Sequence, residues 1–212
     1  MDQDITCAPD KVRRIMTERH LKAIQPKSYI PKTSNGRADK SSDNLLLGQP
    51  HPEQSNQFWA GEITHIPTSI GWLYLAVVID PCSRKIVDWA LADHMRSELV
   101  MDALRQALGS RRIVPRCVFH IDRGSQYGSI AYQQLLGNHG MIQSMSARAN
   151  PYCNAWIESF MGTLKKEMLG DGSFENATDA RRELFAYIES YYNTHRKHSA
   201  LQYRTPAQFE AA

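Results

Sequence analysis

Residues 58–91 read FWAGEITHIPTSIGWLYLAVVIDPCSRKIVDWAL. Phe58 to Ile66 and Trp72 to Asp80 are two runs rich in β-branched and aromatic residues, which favour a pleated, half-buried surface. Pro67, Thr68, Ser69 and Gly71 lie between them, a connection short enough for a hairpin. The turn Pro81-Cys82-Ser83-Arg84 then leads into a third strand, Lys85 to Leu91. Beyond it the apolar period lengthens. Ser97 through Leu108 reads as a helix, with Ser97 as cap and Leu99, Val100, Ala103, Leu104, Ala107 and Leu108 facing inward. Arg116 to His120 is a fourth strand, Ile130 to Asn138 a helix closed by Gly140, and Ile142 to Met145 a short fifth strand. Asn154 to Met168 and Ala177 to Thr194 are two more helices. Three consecutive strands followed by alternating helix and strand define an α/β fold, a mixed five-stranded sheet flanked by helices.

Upstream of Phe58 the chain has another character. Asp10 is placed to cap a helix from Lys11 to about Ile24, with Val12, Ile15, Met16, Leu21 and Ile24 on one side. From Gln25 to Asn56 the residues are mostly Pro, Ser, Asn, Lys and Gly, the composition of an exposed linker, interrupted by Leu45-Leu46-Leu47, which should dock on something. The expected organisation is therefore a short N-terminal helical segment and linker over residues 1–57 and a core over 58–212.

A chain of 212 residues with 42% hydrophobic and 22% charged residues has the make-up of a soluble globular protein. No apolar run approaches membrane-spanning length and the polar start lacks a signal-peptide core, so a cytoplasmic protein without a membrane partner is expected. Cys7, Cys82, Cys117 and Cys153 are scattered, which argues against a zinc site and a disulfide framework alike. The net charge of +3 is compatible with nucleic acid without demanding it. Its distribution says more: Lys and Arg gather at 11–40, at Arg111-Arg112, at Lys165-Lys166 and at Arg196-Lys197-His198, a pattern of local phosphate contacts.

Asp122 ends a short apolar run and opens a polar, glycine-containing turn, Asp122-Arg123-Gly124-Ser125-Gln126-Tyr127. Glu158 lies 35 residues further on, on the helical segment Asn154 to Phe160. Carboxylates from a strand end and a helix face can share divalent metal, and two such metals can clamp both oxygens of a phosphodiester displacement. Glu62 in the first strand offers a third acid, since pairing of strands one and four would bring Glu62 and Asp122 together on one edge of the sheet. Asp80 is its rival, although an aspartate followed by Pro81 and Ser83 is most simply a turn-former. Taken singly, Glu62 and Glu158 read as ordinary solvated charges.

The segments WAGEITHIP, GWLYLAVVIDPCSRKIVDWA, FHIDRGSQY and NAWIESFMGTLKKE, and the closing YYNTHRKHSALQYRTP, resemble the integrase core of bacterial insertion-sequence transposases, the second-frame DDE enzymes related to retroviral integrases. The likeness runs from about Asn56 to Phe209, with the family's upstream segment similar to Val12–Ala23 and Asn44-Leu45-Leu46. It implies a ribonuclease H-like fold and an acidic triad binding two magnesium ions, with manganese as a substitute. The second and third acids fall on Asp122 and Glu158, and the first position falls on Glu62. Lys165, seven residues beyond Glu158 and so on the same helix face, matches a basic residue able to reach a DNA phosphate. Arg123, Ser125, Gln126 and Tyr127 match residues around the same cleft, and Arg196 and Lys197 are candidates for backbone contacts. The implied partners are the insertion-sequence ends and target DNA, an upstream-frame helix-turn-helix protein or fusion, and further copies of the chain on DNA. Nucleoid association when bound would follow.

Three positions depart from the family pattern. Glu62 stands where the family has aspartate, Ile121 where it has serine, and Cys153 where it has an aspartate placed to cap the helix of Glu158. One extra methylene moves a carboxylate outward by about 1.3–1.5 Å, and a misplacement of about 1 Å can cost on the order of 100-fold in rate. By the same resemblance the chain is expected to begin partway through the family's upstream region. The expected function is metal-dependent strand cleavage and strand transfer impaired by Glu62. The alternatives are a catalytically dead DNA-binding or regulatory remnant and a ribonuclease H-type nuclease for RNA–DNA hybrids.

Overall fold

The computed structural model describes residues 8–21, 42–48, 52–146, 155–170 and 172–212. The chain divides into two units, residues 1–30 and 31–212. The first contributes one helix, α1 (Pro9–Glu18). It is entered at Ala8 with proline at the first helical position, where the missing N–H costs nothing. Asp10, expected as the cap, lies within the first turn, where its charge opposes the positive end of the helix dipole. The helix ends at Glu18, short of Ile24, and residues 22–41, most of the expected linker, lie outside the described ones.

The larger unit holds β1 (Phe58–Thr68), β2 (Gly71–Ile79), β3 (Ile86–Ala92), α2 (Ser97–Ser110), β4 (Val118–Ile121), α3 (Ile130–Asn138) and β5 (Ile142–Met145). α4 (Ala155–Leu164), α5 (Ala177–Phe185) and α6 (Pro206–Glu210) follow. The strand order is β3-β2-β1-β4-β5. The first three strands form the antiparallel meander, and β4 and β5 add in parallel. The mixed five-stranded sheet is thus as expected, with one correction. β1 is the central strand, so Glu62 and Asp122 meet in the middle of the sheet and not at its edge.

Side-chain alternation along β1 sorts the core into two layers. Trp59 and Ile63 join Leu99 and Leu104 of α2 and Tyr132 and Leu136 of α3. Phe58, Ala60 and Ile66 join Ile157, Phe160 and Leu164 of α4 and Leu184 of α5. Even-numbered β1 residues therefore face α4, and Glu62 is one of them. Gly61 faces the other way: a Cβ there would lie 2.8 Å from the Phe119 ring, so only glycine fits without repacking.

α4 and α5 both loosen into wider π-type turns, Lys165–Leu169 and Ala186–Tyr192. Gly170 N–H donates to the Lys165 carbonyl and Asn193 N–H to that of Ile188, five residues back in each case. α2 is capped by the extended residue Arg96, with no side-chain cap, in place of the expected Ser97. Of the three leucines expected to dock, Leu46 packs on the α4-side core, whereas Leu47 is 66% exposed. Among the described residues no helix is long and apolar enough to cross a membrane.

Candidate active site

Parallel pairing of β1 with β4 sets Gly61 opposite Ile121. The next residue in each case is an acid, Glu62 within β1 and Asp122 just past the end of β4. Glu158 projects from the first turn of α4, the helix that covers this face of the sheet. Lys165 follows where α4 opens into its π-type turn. The four charges feel one another at Glu62. Burial, then the negative charges of Asp122 and Glu158, push its carboxyl up to about 8, against the pull of the Lys165 ammonium. One Glu62 oxygen, Oε2, is buried without a hydrogen-bond partner among the described residues. A buried carboxylate oxygen without a donor is costly, and its presence marks a place where a cation or proton is wanted.

Asp122 is held by its own turn: its Oδ1 accepts from Gly124 N–H at 2.9 Å. Burial raises its carboxyl and this hydrogen bond partly offsets the rise. A Cβ on Gly124 would sit 3.0 Å from that oxygen, so the glycine in the turn is what lets the backbone approach the acid. Glu158 is more exposed, and partial burial raises it as well. Burial lowers Lys165 while Glu62 draws it back up. The donor set is all hard oxygen, which suits magnesium or manganese. Among the described residues no three His, Cys, Asp or Glu side chains are gathered tightly enough to close on one ion. The acids share a field and a face, with Glu62 carrying one methylene more than aspartate.

Asp80, the rival first acid, has a different job. It is fully buried, accepts from the N–H groups of Asn56 (2.7 Å) and Cys82 (3.0 Å), and lies 3.6 Å from the Arg111 guanidinium. Arg111 in turn binds Glu210 of α6 at 2.7 Å, and Lys85 reaches the same carboxylate at 3.3 Å. This network ties the C-terminal helix to the β2–β3 turn. It does not reach the Glu62 cluster.

Two of the three family departures can be placed. Ile121 is fully buried in the α2–α3 layer, beside Gly61 and Phe119, so its side chain points away from the acids. The substitution changes the core and leaves the face of the site as it was. Cys153 lies outside the described residues.

The residues expected to touch DNA sort unevenly. Ser125 is exposed at the start of a 3-10 turn, and Arg123 is half-buried with its Nε donating to the Ser146 carbonyl at 2.9 Å. Gln126 spends its amide on the Met95 carbonyl at 3.0 Å, which fixes the loop. Tyr127 is 2% exposed and packs edge-on against Tyr132, so it supports the loop from beneath and lines no surface. Arg196 pairs with Glu167 at 3.0 Å, beside the exposed Lys197.

Sequence reasoning missed a buried polar cluster behind Asp122. His120 is fully buried, with Nδ1 2.9 Å from Ser144 Oγ and Nε2 3.0 Å from Ser146 Oγ, and burial lowers it to about 4. The period-two spacing of Ser144 in β5 and Ser146 just beyond it was the available signal.

Two integrase core domain family models match the chain, over residues 52–151 and 139–206. A transposase for insertion sequence element IS904 of Lactococcus lactis is 49% identical over 201 residues, covering 93% of this chain and 79% of that protein. Transposase InsF for insertion sequence IS3A of Escherichia coli is 40% identical over 190 residues, covering 90% of this chain and 66% of its own length. The catalytic core domain of HTLV-2 integrase, solved in complex with magnesium in a trimeric form, superposes with a TM-score of 0.56 at 17% identity, over 73% of this chain and 96% of that one. The last likeness establishes the ribonuclease H-like fold. The chain belongs to the integrase-core transposases of insertion sequences, and its function class is that of a DNA transposase/integrase.

Proposed function

We propose that this chain carries out divalent-metal-dependent DNA strand cleavage and strand transfer for insertion-sequence transposition, at a rate reduced by Glu62. Residues 58–212 serve as the catalytic core and residues 1–57 as the upstream segment. The observation that carries the reading is the unpartnered, buried Glu62 Oε2 beside the charges of Asp122 and Glu158. Negative charge concentrated there and only partly offset by Lys165 fits a divalent cation. Glu62, Asp122 and Glu158 would hold it, and by the family's pattern two magnesium ions. Bound metal of this kind supplies an activated water or 3′-hydroxyl and charge stabilisation of the leaving 3′ oxygen.

The protein's own residues do the rest. β1 carries the first acid, β4 delivers the second from just past its end, and the Gly124 N–H holds the Asp122 carboxylate in one orientation. Lys165 sets a point charge next to them, suited to positioning a DNA phosphate for in-line attack. Arg123 and Ser125 flank the same turn. The partners are element-end and target DNA, an upstream-frame helix-turn-helix protein or fusion, and additional copies on DNA, in the cytoplasm at the nucleoid.

An impaired enzyme is favoured over a dead remnant, because the Ile121 change lies in the core and all three acidic positions keep a carboxyl group. The test is strand transfer by the purified protein on labelled element-end DNA with magnesium or manganese. Glu62→Asp, which draws the carboxylate back by about 1.3–1.5 Å, should raise the rate by about 100-fold. Equal rates in the two proteins would reject the impairment, and no metal-dependent cleavage in either would reject the activity.

A further inference from the structure

A second cavity of about 390 Å³ opens beside α4, lined among others by Arg84, Trp156, Ser159, Thr163, Arg196 and His198. Among the described residues no carboxylate lines it. Its floor is aromatic, with the buried Tyr192 ring edge-on to His198 at 4.9 Å and 5.8 Å from the Arg196 guanidinium. Two nitrogens of its lining residues are buried with no partner among the described residues, Arg84 Nε and His198 Nε2. His198 Nδ1 lies 3.5 Å from Arg196 Nη1. A guanidinium can only donate, so Nδ1 accepts and the imidazole proton sits on Nε2. Burial and the neighbouring Arg196 and Arg84 charges hold this imidazole neutral, down to about 4. Both unpartnered nitrogens are therefore N–H donors.

Arg84 is also held in an unusual backbone state, with φ +61° in the turn before β3. A left-handed conformation is uncommon for such a residue and marks a position set by its surroundings. Two guanidinium groups, Lys197 and the hydroxyls of Ser159 and Thr163, with no carboxylate among the described lining residues, make a site short of one anion. Arg196 is partly neutralised by Glu167, whereas no ion pair of Arg84 is found among the described residues.

We propose that this cavity, formed by the β2–β3 turn, α4 and the Arg196–Tyr203 segment, binds a backbone phosphate of DNA. The proposal rests on the function proposed above and names a contact of that substrate away from the acids. Ser159 and Thr163 sit about 100–140° around α4 from Glu158. A strand anchored there stays within about one helix diameter, 10–12 Å, of the acidic face. The contact reads no base, so it should strengthen all DNA alike.

The test measures binding of the full chain to element-end and unrelated duplexes across a salt series, without divalent metal, so that a failure of catalysis leaves it unaffected. Arg84→Asn, chosen because asparagine tolerates the left-handed backbone, should weaken both duplexes about tenfold and reduce the salt slope by about 1. Arg84→Lys should recover most of the slope. His198→Gln should weaken both duplexes with the slope unchanged, since the imidazole is neutral. Should Arg84→Asn lower the thermal midpoint, the exposed Lys197→Gln on the same rim must show the loss of affinity and slope instead. Unchanged affinity and slope in these variants overturns the proposal. So does a changed self-association with intact DNA binding, which would assign the cavity to a carboxylate of a second copy. Metal-dependent cleavage that persists in such a case leaves the function proposed above standing.

Discussion

Asn193 grips the backbone of Ile86 from both sides, its Oδ1 accepting from the N–H and its Nδ2 donating to the carbonyl, each at 3.0 Å. Both bonds are buried and join the end of the π-type turn to the outermost strand of the meander. Ala207 N–H adds a bond to the Asn193 carbonyl at 2.9 Å, which recruits α6. Asn193→Ala leaves the Ile86 groups buried and unpaired and should cost about 2–3 kcal/mol. Urea unfolding would show this as a lower midpoint at unchanged slope.

The Asp80–Arg111–Glu210 network yields a second expectation. Arg111→Met would leave Asp80 fully buried beside backbone donors with no cation nearby. Breaking a buried pair in this way costs about 3–5 kcal/mol. Adding Asp80→Asn should return part of that loss, because the uncompensated charge disappears, and a double-mutant cycle by urea unfolding measures the return.

Gly61 tests the close approach of β1 and β4. Gly61→Ala drives a Cβ to 2.8 Å from the Phe119 ring, and overpacking of this kind costs about 1–3 kcal/mol. Pairing Gly61→Ala with Phe119→Leu should relieve the clash, which unfolding midpoints would report as a coupling between the two positions.

Glu62 makes stability depend on pH in a definite direction. Its carboxyl titrates near 8 in the fold and near 4.5 in the free side chain, so the folded state holds the proton more tightly. The metal-free protein should therefore keep this contribution in full below pH 4.5 and lose it as pH rises towards 8. His120 runs the opposite way: lowered to about 4, it costs stability as pH falls below 6.5. Comparing the wild type with Glu62→Gln isolates the first effect. The difference between their unfolding free energies should change across that window and level off on either side.

Much of this could be read along the chain. The five strands and the helices of the core came from residue type, period and turn chemistry, because the β-branched and aromatic content of Phe58–Ile66 and the helical spacing in Ser97–Leu108 are local properties. The adjacency of Glu62 and Asp122 followed from supposing that strands one and four pair. What stayed hidden depends on contacts between distant residues. Nothing near Ile121 says that it faces the core and not the acids. Asp80 reads as a turn-former until Arg111 and Glu210 are brought to it by the fold. Arg84 and His198 are 114 residues apart (198 − 84), and their shared cavity exists only once α4 and the C-terminal segment close over the β2–β3 turn.

The account turns on Glu62, Asp122 and Glu158 forming a common cation site, and titration of manganese into the metal-free protein followed by calorimetry tests it most directly. Binding to the wild type should weaken by about tenfold or more in Glu62→Gln, Asp122→Asn and Glu158→Gln, and stay unchanged in Lys197→Gln. Wild-type affinity in any one of the three acid variants would contradict it.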